Sequence, residues 1–328
     1  MKILIILSAA FLAVNALSIE PQWNQFKITY NKRYETSEEE QLRFNIYQDN
    51  LEKINRHNRR YEAGLETYTM TANKFADLTQ TEFGDMLRSQ SGSLPEFEFE
   101  KRPSDEPTPI PDSIDWRETD KAVLPVKDQN YTGCNSGWAF SATGALEGQN
   151  AIKNNARTPL SEQQLIDCDE ASQGCDGGSV ANAIQYVIKN GLTSETDYPY
   201  LGNQTICQAQ NTTITAKALV TLDKTEADLQ QAVGSVGPIS AGMYFDLLQF
   251  YEGGIFHSDF CFNEEAILDH DVLVVGYGSE YSEELKEERK YWIIKNSMGQ
   301  DWGEKGYVRL ARDADQCGIA LRCSYPIL

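Results

Sequence analysis

Cys134-Asn135-Ser136-Gly137-Trp138-Ala139-Phe140-Ser141 is the stretch on which the fold turns. After Gly137, the residues available for burial are Ala139, Phe140, Ala142, Leu146 and Ala151, and they recur at helical spacing. Glycine carries no Cβ and is tolerated at a helix start. Downstream, Leu160-Ser161-Glu162-Gln163-Gln164-Leu165 reads as a second short helix with Ser161 near its start. From Ala216 onward, apolar runs bounded by Gly and polar residues predict strands over Ile239–Met243, Val272–Tyr277, Tyr291–Lys295 and Tyr307–Leu310. Helices followed by strands predict an α+β fold. The charged run Ser279–Lys290 (SEYSEELKEERK) reads as a solvated loop between two of those strands.

Upstream, Glu100–Asp112 (EKRPSDEPTPIPD) holds four prolines and many charges, the composition of an extended, protease-accessible linker. Before it, Glu39, Arg43, Tyr47, Asn50, Ile54 and Asn58 recur at spacings of three and four along one helix face. Glu39 and Arg43 are spaced for an i,i+4 ion pair. A second pattern follows at Thr71-x-Asn73-x-Phe75-x-Asp77. At the start of the chain, Lys2, the apolar run Ile3–Val14 and Val14-Asn15-Ala16 read as an export signal with its cleavage site. No later stretch is long and apolar enough to span a bilayer.

The chain has 328 residues, ample for a sizeable core. Its 29 Lys and Arg against 49 Asp and Glu give a net charge of −20, which disfavours nucleic acid and acidic membranes as partners. Three N-x-S/T sequons, at Asn130, Asn203 and Asn211, fit the export route as glycosylation sites. All seven cysteines, Cys134, Cys168, Cys175, Cys207, Cys261, Cys317 and Cys323, lie beyond the linker, and spacing alone leaves their connectivity open.

The helix string E-x3-R-x3-Y-x2-N-x3-I-x3-N and the Thr71–Asp77 pattern together resemble the prosegment of papain-like cysteine proteases. Trp23 to Pro326 as a whole is similar to a cathepsin L-type precursor. The resemblance implies a helical lobe and a barrel-like lobe with a cleft between them. It divides the chain into a signal peptide over 1–16, a helical prosegment and linker over 17–110 and a peptidase domain over 111–328. It implies the disulfides Cys134–Cys175, Cys168–Cys207 and Cys261–Cys317, leaving Cys323 as a buried small hydrophobe. No cofactor or metal is implied, and a monomer is expected.

A protease of this kind needs a thiolate at a helix start beside a His, a residue that orients the His, and a donor for the oxyanion. By resemblance, His270 in Leu268-Asp269-His270-Asp271-Val272 is the catalytic His, Asn296 in Lys295-Asn296-Ser297-Met298-Gly299 orients it, and Gln129 is the oxyanion amide. At the nucleophile's place, directly before Trp138, stands Gly137. Ser136 is one residue early, and Cys134 is claimed by its disulfide. Gln129 to Cys134 is two residues longer than the family pattern, and a glycan on Asn130 would obstruct the cleft. Met298 replaces the family's Trp and should leave the Asn296–His270 bond wetter.

Binding parts remain. By resemblance Gly177 and Gly178 pair with substrate backbone, while Val180, Gly242 and Leu268 line the main specificity pocket. Arg322 at its floor would favour an acidic side chain, unless it is exposed or already ion-paired. The expected function is a non-catalytic homologue that binds peptides, prosegment-like ligands or cysteine-protease inhibitors, secreted or lysosomal. The alternatives are an active endopeptidase and a storage protein.

Overall fold

The computed structural model describes residues 19–87, 100–101, 109–119, 121–129, 133–209, 211–282 and 286–328. The signal segment, Asn130 and residues 102–108 of the linker lie outside these ranges.

The N-terminal region is helical, as its periodicity requires. Helix α1 covers residues 19–29, α2 covers Ser37–Glu62 and α3 covers Gln80–Leu87. Thr36 caps α2 by accepting from the Glu39 backbone N–H, and three acidic residues in its first turn suit the helix dipole. Trp23 and Phe26 pack their rings on Tyr47 at centroid distances of 5.2 and 4.8 Å. The expected Glu39–Arg43 pair is not formed. The Glu39 carboxylate accepts from Glu35 N–H at 2.8 Å, and Arg43 reaches Glu82 at 2.8 Å and the carbonyl of Asp77. A partner brought in by the fold displaces the local one, which offers only a few tenths of a kcal/mol. The remaining polar residues of that face also hold distant backbone. Asn50 donates to the carbonyls of Ala76 and Leu78, and Asn58 both donates to and accepts from Met70.

Helix α4, Gly137–Asn154, is buried on every side from Gly137 to Ala151, as befits a helix between two packed layers. Helices α5 (Glu162–Cys168) and α6 (Val180–Asn190) pack beside it, with Trp138, Leu146, Leu165 and Ile184 in one core. Ser161 caps α5 and Ser179 caps α6. Helix α7, Glu226–Ser235, lies against the sheet.

The strands are β1 (Tyr68–Met70), β2 (Glu100–Lys101), β3 (Ile114–Asp115), β4 (Ala218–Thr221), β5 (Ile239–Met243), β6 (Tyr251–Phe256), β7 (His270–Ser282), β8 (Glu287–Lys295), β9 (Tyr307–Ala311) and β10 (Cys323–Ile327). Their order is β1-β6-β9-β8-β7-β5-β10-β4-β2, with β3 on β7. The four expected strands are present within β5, β7, β8 and β9, and the α+β architecture stands. The run Ser279–Lys290 is not a loop. It extends β7 and β8 into a paired ribbon, from Ser279↔Lys290 to Ser282↔Glu287. Arg309, paired with Glu280 on β7 and Glu304, braces it.

The segment before residue 88 is built into this sheet. Strand β1 pairs antiparallel with β6, Tyr68 packs on Tyr251 and Phe256, and Asn73 donates to the carbonyl of Gln249 at 2.7 Å. One core holds Trp23, Tyr68, Phe75 and Phe83 together with Phe245, Tyr251 and Trp302.

Candidate active site

Four elements meet where the cleft residues were expected. The start of α4 supplies Gly137, the start of β7 His270, the turn after β8 Asn296, and the segment before α4 Gln129. The His270 ring nitrogen Nε2 lies 2.9 Å from Asn296 Oδ1, so it donates to the amide oxygen. Asn296 Oδ1 also accepts from Ser297 N–H at 2.8 Å. Ser297 Oγ donates to Gln129 Oε1 at 2.6 Å, and Gln129 N–H donates to Ser297 O at 2.8 Å. Oxygen of each amide is thus engaged, while Gln129 Nε2 and Asn296 Nδ2 are buried donors with no hydrogen-bond partner among the described residues. Such a donor costs about 1–3 kcal/mol and is ready for an acceptor.

Gly137 faces His270. A Cβ on Gly137 would sit 2.6 Å from His270 Cε1 and 2.8 Å from Nδ1, and 3.5 Å from Gln129 Oε1. The imidazole therefore fills the space a side chain at 137 would use. His270 is 1% exposed, and burial lowers its pKa, opposed by the Asn296 hydrogen bond and Asp271.

Ser136 is turned away from this centre. Its hydroxyl lies 2.8 Å from Tyr200 Oη, which itself donates to the carbonyl of Gln129 at 2.7 Å. Burial pushes the Tyr200 hydroxyl up to about 12. Cys134 is bonded to Cys175, Cys168 to Cys207 and Cys261 to Cys317. Cys323 is free and buried, with its thiol directed at the carbonyl of Ile319. Burial raises its pKa.

The expected wetting at Met298 is not seen. Met298 is fully buried and Asn296 is 3% exposed. Apolar cover comes from Phe245, whose ring lies 4.9 Å from the His270 ring and 5.2 Å from Trp302.

Beside this centre is a cavity of about 560 Å³ lined by Gly178, Val180, Ala181, Leu219, Leu222 and Arg322, among others. Gly178, Val180 and Arg322 come together around it. Gly242 lies under Arg322, with its missing Cβ 2.5 Å from Arg322 Nε. Leu268 is buried, and neither it nor Gly177 is among the lining residues. Arg322 pairs with Asp271 at 3.0 Å, so its charge is already met within the cavity. Asn203 and Asn211 are exposed.

A buried charge cluster sits behind the cleft. Lys127 reaches Glu162 at 2.8 Å, Glu195 at 2.9 Å and Glu147 at 3.4 Å. Burial pushes Glu162 up to about 7, against the pull of Lys127. Sequence reasoning missed this cluster, and with it Ser297, Tyr200 and Phe245. Their roles arise from contacts distant in the chain, as in the Ser297–Gln129 separation of 168. No linear motif carries that signal.

The helical prosegment, the two packed halves and the Gln129–His270–Asn296 cluster define a cysteine protease precursor fold. The model of the papain family of cysteine proteases matches residues 110–327, and that of the cathepsin propeptide inhibitor domain matches residues 23–83. The chain belongs to the papain family, with a cathepsin propeptide domain. Its relatives are cathepsin L-like. A cathepsin L-like proteinase of Phaedon cochleariae is 43% identical over 334 residues, covering 100% of both chains. Procathepsin L of Rattus norvegicus is 41% identical over 317 residues, 94% of this chain and 92% of the relative. The structure of digestive procathepsin L 3 from Tenebrio molitor larval midgut matches with a TM-score of 0.86 at 40% identity, over 94% of this chain and 99% of that one.

Proposed function

We propose that this cathepsin L-like chain is a non-catalytic member of its family, a pseudoprotease that binds peptides or protease inhibitors without cutting them. One observation carries the reading: residue 137 is glycine, and His270 lies where its side chain would be. Without a nucleophile no acyl-enzyme forms. In serine proteases stripped of triad members, binding and the oxyanion site alone leave roughly 10³–10⁴-fold over water, far below ordinary enzymatic accelerations.

The other candidate nucleophiles are committed elsewhere: Ser136 to Tyr200, Cys134 to Cys175, and Cys323 to the interior. Gln129 Nε2 and the cavity beside Arg322 retain the means to hold a peptide. The chain follows the secretory route as a monomer, with a signal over 1–16, a prosegment and linker over 17–110 and the peptidase-like domain over 111–328. It carries glycans at Asn130, Asn203 and Asn211. It cannot remove its own prosegment, so maturation falls to another protease acting on the linker.

A second reading, an active endopeptidase, draws on the names of the relatives, which are called proteinases. One experiment separates the two. The full chain is held at acid pH and assayed for self-processing and for labelling by a thiol-reactive epoxide. The expected result is an intact, unlabelled precursor. Label within residues 130–140, or processing by purified chain, overturns the proposal.

A further inference from the structure

The linker leaves a strand on the sheet. Strand β4 pairs with β10 on its inner side, from Ser324↔Thr221 to Ile327↔Ala218. On its outer side it pairs in parallel with β2, Glu100↔Val220 and Lys101↔Thr221. Without those two residues β4 would be the bare end of the sheet. The resident hold is short. Pro103 follows it in sequence and has no N–H to extend a ladder.

The sequence ending in this strand is Glu96-Phe97-Glu98-Phe99-Glu100-Lys101, an alternation of acid and aromatic set between Pro95 and Pro103. That is the pattern of a half-buried strand. The receiving surface is shaped for one. Leu219 and Thr221, two apart and therefore on one face of β4, both line the cavity of about 560 Å³. In the parallel register of β2, a peptide residue opposite Leu219 lies on that same face, and so would enter a space walled by Leu219, Leu222, Val180 and Ala181.

We propose that the outer edge of β4, with this cavity, is a strand-addition site for an extended partner peptide in which acidic and aromatic residues alternate, and that β2 is its displaceable resident. Main-chain bonds to β4 supply the hold, and aromatic side chains at alternate positions supply selectivity. The inference does not depend on whether the chain cuts peptides.

The test uses the full chain and a variant whose residues 104–107 are replaced by a protease recognition sequence, intact and nicked. The probe is a fluorescein-labelled peptide, Glu-Phe-Glu-Phe-Glu-Lys, followed by anisotropy. Nicking frees the resident strand to leave, so the nicked chain should bind about tenfold or more tighter than the intact one. A Glu100→Pro version of the peptide should bind at least about tenfold more weakly, through loss of a ladder donor. Thr221→Arg in the nicked chain, accepted only if its unfolding midpoint stays within about 2 °C of the parent, should weaken binding similarly. If that variant does not fold, the proline peptide decides. Equal affinity for intact and nicked chains, or undiminished binding of the proline peptide, overturns the proposal. Binding that tolerates proline but is lost on adding free prosegment assigns the peptide to the cleft and likewise overturns it.

Discussion

His270 and Gly137 occupy one space between them: a Cβ on residue 137 would stand 2.6 Å from Cε1 of the imidazole. The ring is not free to give way, being bonded to Asn296 and packed on Phe245. Gly137→Ala should therefore destabilise the chain by about 1–3 kcal/mol, the usual cost of overpacking. In a His270→Ala background the same change should cost much less. Urea unfolding of the four species measures the coupling, and additivity of the two changes would contradict the packing described.

Gly137→Cys meets the same obstacle. Its thiol gains a helix start but is crowded by the buried imidazole, 2.6 Å from the new Cβ, so epoxide labelling should be slow. It should rise if the ring is given room by Phe245→Leu. Labelling rates of the single and double variants at mildly acid pH check this, and a fast single variant would mean that the ring moves freely.

Lys127 is the shared ion-pair partner of buried Glu147 and Glu162 and of half-buried Glu195. Lys127→Met should cost about 3–5 kcal/mol, since it leaves buried charge unpaired. The folded pKa of Glu162 already lies at about 7, above the ordinary 4.5. Losing Lys127 raises it further, so the folded state binds more protons than the unfolded one over a wider range. The penalty should accordingly be largest above about pH 7 and shrink as pH falls toward about 5. Unfolding free energies at both values provide the check.

Asp269 is the carboxylate whose environment opposes its charge most plainly. Burial, then the nearby Asp246 charge, push it up to about 7, against hydrogen bonds from the Phe245 and Asp246 N–H groups. Its folded pKa exceeds the ordinary 3.8, so its contribution falls as pH rises from about 4 to 7. Asp269→Asn should therefore raise the melting temperature more at a pH above about 7 than at about pH 4. An equal shift at both would show that the carboxylate is not strained by burial.

Tyr68 ties the prosegment to the sheet, packed on Tyr251 and Phe256. Tyr68→Ala should cost about 3–5 kcal/mol of the shared core. It should also speed hydrogen exchange at residues 68–75 ahead of the rest, as followed by mass spectrometry.

Periodicity made the α2 face legible, because burial of Tyr47 and Ile54 fixes which residues must align. It could not tell where Arg43 would go, since Glu82 arrives from a segment 39 residues away. Strands β1, β2 and β3 span two or three residues each, too few to show alternation. The ribbon beyond Tyr277 looked like a loop because both its strands are exposed and charged, so no apolar face marks the ladder. At the site, Gln129, Gly137, His270 and Asn296 sit in contiguous motifs and could be found. Tyr200 and Ser297 act through a hydroxyl on a distant partner, which leaves no trace in local composition.

Both margins of the ten-stranded sheet belong to the leader: residues 68–70 close one and residues 100–101 the other. A recombinant fragment begun at Pro111 would enter solution with two uncapped rims of peptide groups, each a template for another chain. Removing the leader should therefore increase self-association, and light scattering of the fragment beside the full chain measures it.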